Sequence, residues 1–362
     1  MSVLVKNRFI FVCLAAFACG SNIQAGDASH QTEPARPGQV SFISQAIFAD
    51  GLLWLRSDSG ELSTIAPDAD ERVLQPIPEP VLSICKSQGR ILALTEHSNN
   101  ALALRLRSDG EWLEKASVAS RDESLTAMVC ADDAVYLVTD KHVVTLDVAG
   151  HVRSKPLLGE PPHGPVSSSY ADQASVYVGI NAGEWGGGLF RIDVASGQSI
   201  HIDLGGKEQS CQKAKNPVCG PVTGIAAMPG KPGCIAVSVG LVHFMTSGGI
   251  AELCGDYASR FYVQGFTSSL WASLAKRQSE KGSLETVAFF GVVADNDKLL
   301  GVAVGHVYAF DGHGKATENE LPSMKLVGGI RVSFSHAGLV FVMTDINQRR
   351  SVSGPVPMIV TR

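Results

Sequence analysis

Short apolar runs alternate with turn residues along most of the chain, and they recur as a larger unit. Each unit has a hydroxyl-rich apolar strand, a turn, a second apolar strand, a short loop, a third strand and a more polar fourth strand. The second strands are the most regular part of the unit: 51–55, 91–94, 134–138, 176–179, 234–237, 299–303 and 338–342. Most copies are about 40 residues apart, which fits one four-stranded antiparallel sheet per repeat.

Glycine-containing turns mark the expected hairpin between the third and fourth strands in five units. These turns are 107–110, 147–150, 193–197, 246–249 and 311–314. Glycine suits them because it adopts positive φ without steric cost. A longer gap between units contains Phe266, Leu270 and Trp271 at helical spacing, which predicts an amphipathic helical insertion over 259–283.

One repeat carries a family resemblance. Residues 188–197, GLFRIDVASG, resemble the blade core of quinoprotein-like and YVTN-type propellers, and the chain is similar to the seven-bladed β-propeller superfamily. The expected fold is therefore all-β, a seven-bladed β-propeller of four-stranded antiparallel blades. Its units are expected near 40–80, 81–122, 123–160, 165–206, 220–258, 284–322 and 327–362. The last unit leaves no sequence for a fourth strand, and a segment before Ile43 is the candidate to supply it.

The charge balance excludes two classes of partner. The chain of 362 residues has 30 Lys and Arg against 35 Asp and Glu, a formal net charge of −5. Nucleic-acid and anionic membrane binding need a basic excess that is missing here. The remaining partners are a small molecule, a glycan or another protein, and we expect a monomer.

The N-terminus indicates export. Lys6 and Arg8 precede an apolar run over 9–20, and Ala25 ends a stretch suited to cleavage, which predicts a signal peptide over 1–25. The run is shorter than the about 20 residues that a transmembrane helix needs. A flexible N-terminal segment, 26–39, and the propeller, 40–362, would follow. The expected location is therefore periplasmic or secreted. The alternative to a freely released protein is a lipoprotein anchored at Cys19.

Six cysteines remain after the predicted signal peptide: Cys85, Cys130, Cys211, Cys219, Cys234 and Cys254. An even number in an oxidising compartment predicts disulfides. Cys211 and Cys219 flank a short polar stretch and need no other element to bring them together, so we expect this pair. The pairing of the other four stays open.

Acidic residues follow the second strand in four units that are adjacent around the ring. The pairs are Ser57-Asp58, Thr95-Glu96, Thr139-Asp140 and Thr344-Asp345, and His97 and His142 follow two of them within two residues. The resemblance implies that the loops after second strands share the face that commonly holds the ligand. These residues either cap turns by bonding their own backbone or converge on a cation, a sugar or a basic partner loop.

The most unusual loop, 181–188, places Glu184 and Trp185 among four glycines between two strands. One interpretation is a binding surface, because an indole and an acid stand on a backbone that a ligand can approach closely. The other is a wide bulge in which Trp185 packs on the adjacent blade and the glycines relieve crowding.

The sequence contains no catalytic constellation that can be singled out. The first strands are small, apolar or hydroxylic, and a Gly-x-Ser-x-Gly elbow is missing. We therefore predict an exported, non-catalytic binding or interaction propeller that acts through its loop face and needs no cofactor. The alternative is a metal-dependent hydrolase or lyase, in which Asp58, Glu96, Asp140 and Asp345 would hold a divalent cation.

Overall fold

The computed structural model describes residues 43–361, with gaps at 68, 70, 98–100, 120–121, 148–149, 207–209, 212–215, 243–245, 266–284, 322–329, 335–338 and 345–357. The predicted signal peptide, the segment 26–39 and Cys19 lie outside these described residues. Among the described residues, no helix is long and apolar enough to cross a membrane.

Three four-stranded sheets follow one another from the start of the described chain. The first contains β1 (Ile43–Ala49), β2 (Leu52–Ser57), β3 (Leu62–Ile65) and β4 (Val73–Leu74). The second contains β5 (Val81–Ser87), β6 (Arg90–Glu96), β7 (Ala101–Ser108) and β8 (Glu111–Ala119). The third contains β9 (Leu125–Cys130), β10 (Ala134–Thr139), β11 (His142–Asp147) and β12 (Val152–Pro156).

The next three sheets repeat this antiparallel order. The fourth contains β14 (Val166–Ala171), β15 (Ser175–Asn181), β16 (Gly187–Asp193) and β17 (Gln198–Ile202), and the short β13 (Leu158–Gly159) pairs in parallel with β17. The fifth contains β18 (Val222–Ala227), β19 (Cys234–Val242), β20 (Thr246–Cys254) and β21 (Tyr257–Tyr262). The sixth contains β22 (Phe289–Asp295), β23 (Lys298–Ala303), β24 (His306–Phe310) and β25 (Ala316–Glu320).

The last repeat forms a smaller sheet of three described strands, β26 (Ile330–Phe334), β27 (Leu339–Thr344) and β28 (Met358–Thr361). The structure thus shows six complete blades where seven were predicted, and the expectation of a seventh four-stranded blade is wrong for the described residues. Three apolar runs of this repeat form the three described strands, and the segment before Ile43, the candidate for a fourth strand, lies outside the described residues.

The innermost strands contact one another in chain order, from β1 through β5, β9, β14, β18 and β22 to β26. Strand β26 also contacts β1, so the three-stranded sheet lies between the sixth blade and the first. This arrangement of radially packed antiparallel sheets is a β-propeller.

A β-bulge near the first residue of the innermost strand recurs in all six complete blades. Two of the bulged residues are Ser167 and Thr223, and each hydrogen-bonds the next blade. Ser167 Oγ donates to the Val222 carbonyl at 2.5 Å, and Thr223 Oγ1 donates to the Phe289 carbonyl at 2.8 Å. The hydroxyl residues of the first strands therefore join neighbouring blades.

The hydrophobic core lies between the blades. One cluster joins Tyr177 and Leu189 of the fourth blade to Val237 and Leu253 of the fifth, and similar clusters join each other pair of consecutive blades from the first to the sixth. Second strands are buried on both faces, as in β10, whereas the outermost β12 is exposed throughout. This gradient confirms the predicted polarity of the fourth strand.

Three disulfides are present, which confirms the expectation of disulfide bonds. One joins Cys211 to Cys219, with a Cα–Cα distance of 5.3 Å. Cys85–Cys130 joins the innermost strands of the second and third blades. Cys234–Cys254 crosses the directly opposed strands β19 and β20.

Two local predictions are wrong. Residues 246–249 were expected to form a hairpin turn, but they begin β20, and the turn of that blade lies at Gly255. The glycines there allow neighbouring backbone to approach closely, since a Cβ on Gly248 would lie 2.3 Å from the Val239 carbonyl oxygen. The expected helical insertion over 259–283 is also not observed. Residues 259–262 pair with β20 and complete β21. Phe266, Leu270 and Trp271, whose spacing predicted the helix, are among residues 266–284, which lie outside the described residues.

Candidate functional site

The loops between second and third strands lie at one end of the blades, where each fourth strand also leads to the next blade. We call this end the loop face and define it by residues 58–61, 97, 140–141 and 182–186. The antiparallel order of each sheet places these loops together. Asp345 belongs to the equivalent loop of the last sheet but lies outside the described residues.

The loop bearing Glu184 and Trp185 is a short, internally hydrogen-bonded turn. A 3₁₀ turn over Gly183–Trp185 connects β15 to β16. The Asn181 side chain accepts a hydrogen bond from the Gly183 N–H at 2.9 Å, and the Ala182 N–H donates to the Gly186 carbonyl at 2.9 Å. Glu184 is exposed, and Trp185 is 86% exposed. Trp185 therefore does not pack against the adjacent blade.

The glycines of this loop have two separate roles. Gly183 and Gly186 have φ values of 64° and 99°, a region that other residues rarely adopt. A Cβ on Gly187 would lie 2.2 Å from the Ile180 carbonyl oxygen and 2.8 Å from Pro221 Cα of the next blade. Close approach of neighbouring backbone therefore explains why residue 187 is a glycine, as the bulge interpretation expected. Trp185 is not crowded in the same way.

His142 is held by a carboxylate that sequence reasoning missed. Its Nδ1 lies 2.7 Å from Glu123 Oε1, and the Thr139 hydroxyl donates to Glu123 Oε2 at 2.7 Å. The Glu123 side chain is only 6% exposed. Burial opposes its ionisation, but the hydrogen bonds from Thr139 and His142 outweigh burial, and the pKa of Glu123 lies below its ordinary value.

His97 occupies the equivalent place in the second blade. Its Nδ1 lies 3.3 Å from Glu79 Oε1, and its Nε2 lies 3.1 Å from Glu114 Oε2. Arg105 Nη2 lies 2.9 Å from each Glu79 carboxylate oxygen. Glu79 and Glu123 each stand two residues before a first strand, in consecutive repeats. That repetition is the sequence signal that could have identified both partners.

Among the described residues, the acids that follow the second strands belong to no group of closely spaced metal-ligand side chains. The Asp140 carboxylate accepts a hydrogen bond from the Ser124 N–H at 3.0 Å, and Ser57 Oγ accepts one from the Glu61 N–H at 2.8 Å. The Ser57 contact is a turn cap, in line with the first interpretation of such residues. The Asp140 contact instead joins the loop after β10 to the residue before β9. Asp58 and Glu96 are exposed at their own loops.

The described residues contain two groups of three closely spaced metal-ligand side chains, and each group includes two disulfide-bonded cysteines. Neither group contains Asp58, Glu96, Asp140 or a histidine. A thiolate is required for metal binding, so disulfide sulfurs are unsuitable ligands. The metal-dependent alternative thus has no ligand cluster among the described residues.

A channel runs between the innermost strands, with a volume of about 640 Å³. Residues from all seven sheets line it, including Gln45, Lys86, Ser168, Asn181 and Val332. Sequence reasoning missed Lys86, which is half-buried on β5. Burial lowers the pKa of this amine. Gly183 of the Trp185 loop also lines the channel, so the channel reaches the loop face beside this loop.

Comparisons with known proteins identify the fold alone. No protein-family model matches the sequence, and no curated protein matches it. The WD40 domain of Neurospora crassa Pan2 is 11% identical, with 87% of this chain and 90% of that chain covered and a TM-score of 0.52. YCF48 from Cyanidioschyzon merolae is 10% identical, with 90% and 96% covered and a TM-score of 0.50. Both likenesses support a β-propeller.

The extracellular domain of a one-component system from B. thetaiotaomicron is 11% identical to this chain. The match covers 85% of this chain and 38% of that chain, with a TM-score of 0.47. A likeness at this level carries no argument about function.

Proposed function

We propose that this chain is an exported, non-catalytic β-propeller that binds a ligand or partner through its loop face, with Trp185 as the anchor. The observation that carries the proposal is the 86% exposure of Trp185 on a short turn with its own hydrogen bonds. These hydrogen bonds restrain the backbone that carries the indole, so less backbone freedom is lost when a partner binds.

The chemistry of the loop suits several partners. Trp is enriched at interface hot spots because it offers a large, rigid apolar surface. Its face stacks on a sugar ring, a cation or an apolar side chain. The neighbouring Glu184 adds a carboxylate that accepts hydrogen bonds or pairs with a cation. A glycan, a small molecule and a protein segment all fit this description.

The disulfides support the exported location. All six cysteines in the described chain are paired. Disulfides persist in oxidising compartments and are rare in the cytosol. A periplasmic or secreted location follows from this pairing and from the N-terminal signal pattern.

Trp185→Ala tests the proposal. An exposed side chain contributes little to folding, so the variant should melt within about 1 °C of wild type, since surface changes cost under roughly 0.5 kcal/mol. Partner binding should weaken about thirtyfold, equivalent to about 2 kcal/mol. The first measurement is a thermal melt. The second is a binding titration with the partner, which is first captured from the native envelope by wild-type protein.

Tyr257→Ala is the matched control, because Tyr257 is 56% exposed on the outermost strand of the fifth blade. It should retain wild-type affinity. Equal affinity of Trp185→Ala and wild type would refute the proposal, and so would a large fall in the melting temperature of Trp185→Ala.

A further inference from the structure

We propose that the central channel is a second binding site, which takes a small carboxylate or phosphate anion beside Lys86. This site differs from the Trp185 loop in its position and its chemistry. It is built from the innermost strands, whose inner edges have no neighbouring strand in their own sheets.

The channel has the size of a ligand site. Its volume of about 640 Å³ falls in the range of about 300–1,000 Å³ that is typical of small-molecule sites. The lining mixes apolar and hydrogen-bonding groups, with Met128, Val129 and Phe290 among the former. Edge strands also present unpaired backbone N–H and C=O groups, which a ligand can use.

The hydroxyl groups of the lining differ in availability. The Ser167 and Thr223 hydroxyls already bond the backbone of the next blade. Ser168 and Ser169 are also lining residues, and no hydrogen bond to either hydroxyl is found among the described residues. A hydroxyl in this part of the lining is therefore available to donate to a ligand oxygen.

Lys86 determines the sign of the ligand charge. It is the one ionisable side chain among the described lining residues, since Cys85 and Cys130 are joined in a disulfide. No salt bridge to Lys86 is found among the described residues. A desolvated ammonium group without a counter-charge is unfavourable, in agreement with its lowered pKa. An anion beside it would supply the missing charge, and the described lining residues include no carboxylate that would compete.

The probes are acetate, succinate and inorganic phosphate. Each is titrated into the protein in a calorimeter, with chloride as the balancing anion that keeps the ionic strength constant. At least one should bind wild-type protein. Lys86→Met keeps the apolar stem and removes the charge, so binding should weaken roughly tenfold or more, as expected for loss of a hydrogen bond from a charged group. Lys298→Met, on an exposed lysine at the turn between β22 and β23, is the matched control and should bind as wild type does.

A chemical labelling experiment tests the same site independently of calorimetry. An amine-reactive reagent should modify Lys86 in the free protein, and the bound probe should protect it, as read by peptide mass spectrometry. Binding of none of the three probes would overturn the proposal, and so would equal binding by Lys86→Met. Trp185→Ala should leave anion binding unchanged, so failure of this proposal and failure of the loop-face proposal are distinguishable.

Discussion

The Cys85–Cys130 disulfide should contribute more to stability than the Cys211–Cys219 disulfide, and the structure allows the difference to be estimated. The two bonds have sequence separations of 45 and 8 residues. The chain-entropy relation then gives about 4 kcal/mol for the long loop and about 2.5 kcal/mol for the short one. The unfolding entropy is about 2.1 cal/mol/K per residue, so removal of the long-loop bond from a domain of roughly 320 residues should lower Tm by about 6 °C.

The perturbation is the double substitution Cys85→Ala with Cys130→Ala, compared with Cys211→Ala plus Cys219→Ala. Cys85 is also buried at 7% exposure, so loss of its sulfur adds a packing cost in the same direction. Differential scanning calorimetry under non-reducing conditions measures both shifts. The reasoning fails if the short-loop variant loses as much stability as the long-loop variant, or more.

Two further changes test the loop face and the packing between blades. The native pKa of Glu123 lies below its unfolded value, so its charge stabilises the fold above about pH 4.3, and this stability is lost as pH falls through the native pKa. Glu123→Gln should therefore lower Tm at pH 7 and flatten its fall in acid, unlike Glu111→Gln on an exposed site. A Cβ on Gly240 would lie 2.0 Å from the Phe289 carbonyl oxygen. Gly240→Ala should therefore lose roughly 1–3 kcal/mol, whereas Gly312→Ala, where a Cβ meets open space, should not. Equal melting of the two glycine variants would contradict this account.

The candidate site shows what sequence reasoning could reach. The loop carrying Glu184 and Trp185 was identified from its glycines, but the choice between an exposed and a packed Trp185 required coordinates. Exposure depends on what the adjacent blade places nearby, and that blade belongs to a different repeat, which approaches this loop at Gly187 through Pro221. Likewise, His97 and His142 were predicted as candidates, while their partners Glu79 and Glu123 were not, because each pair joins two separate loops.

The sequence by itself determined the repeating four-strand unit, because strand patterning is local and recurs every time a blade must bury the same faces. It also determined the presence of disulfides from the cysteine count. Only the tertiary structure decided that Gly248 lies in a strand instead of a turn, and that the last repeat forms three described strands. It alone placed Lys86 in a channel without a counter-charge among the described residues, because the channel is formed by innermost strands from every sheet. Contacts between residues of different repeats do not follow the repeat period in the sequence. The sequence pattern therefore does not predict them, and they are seen only in the folded ring.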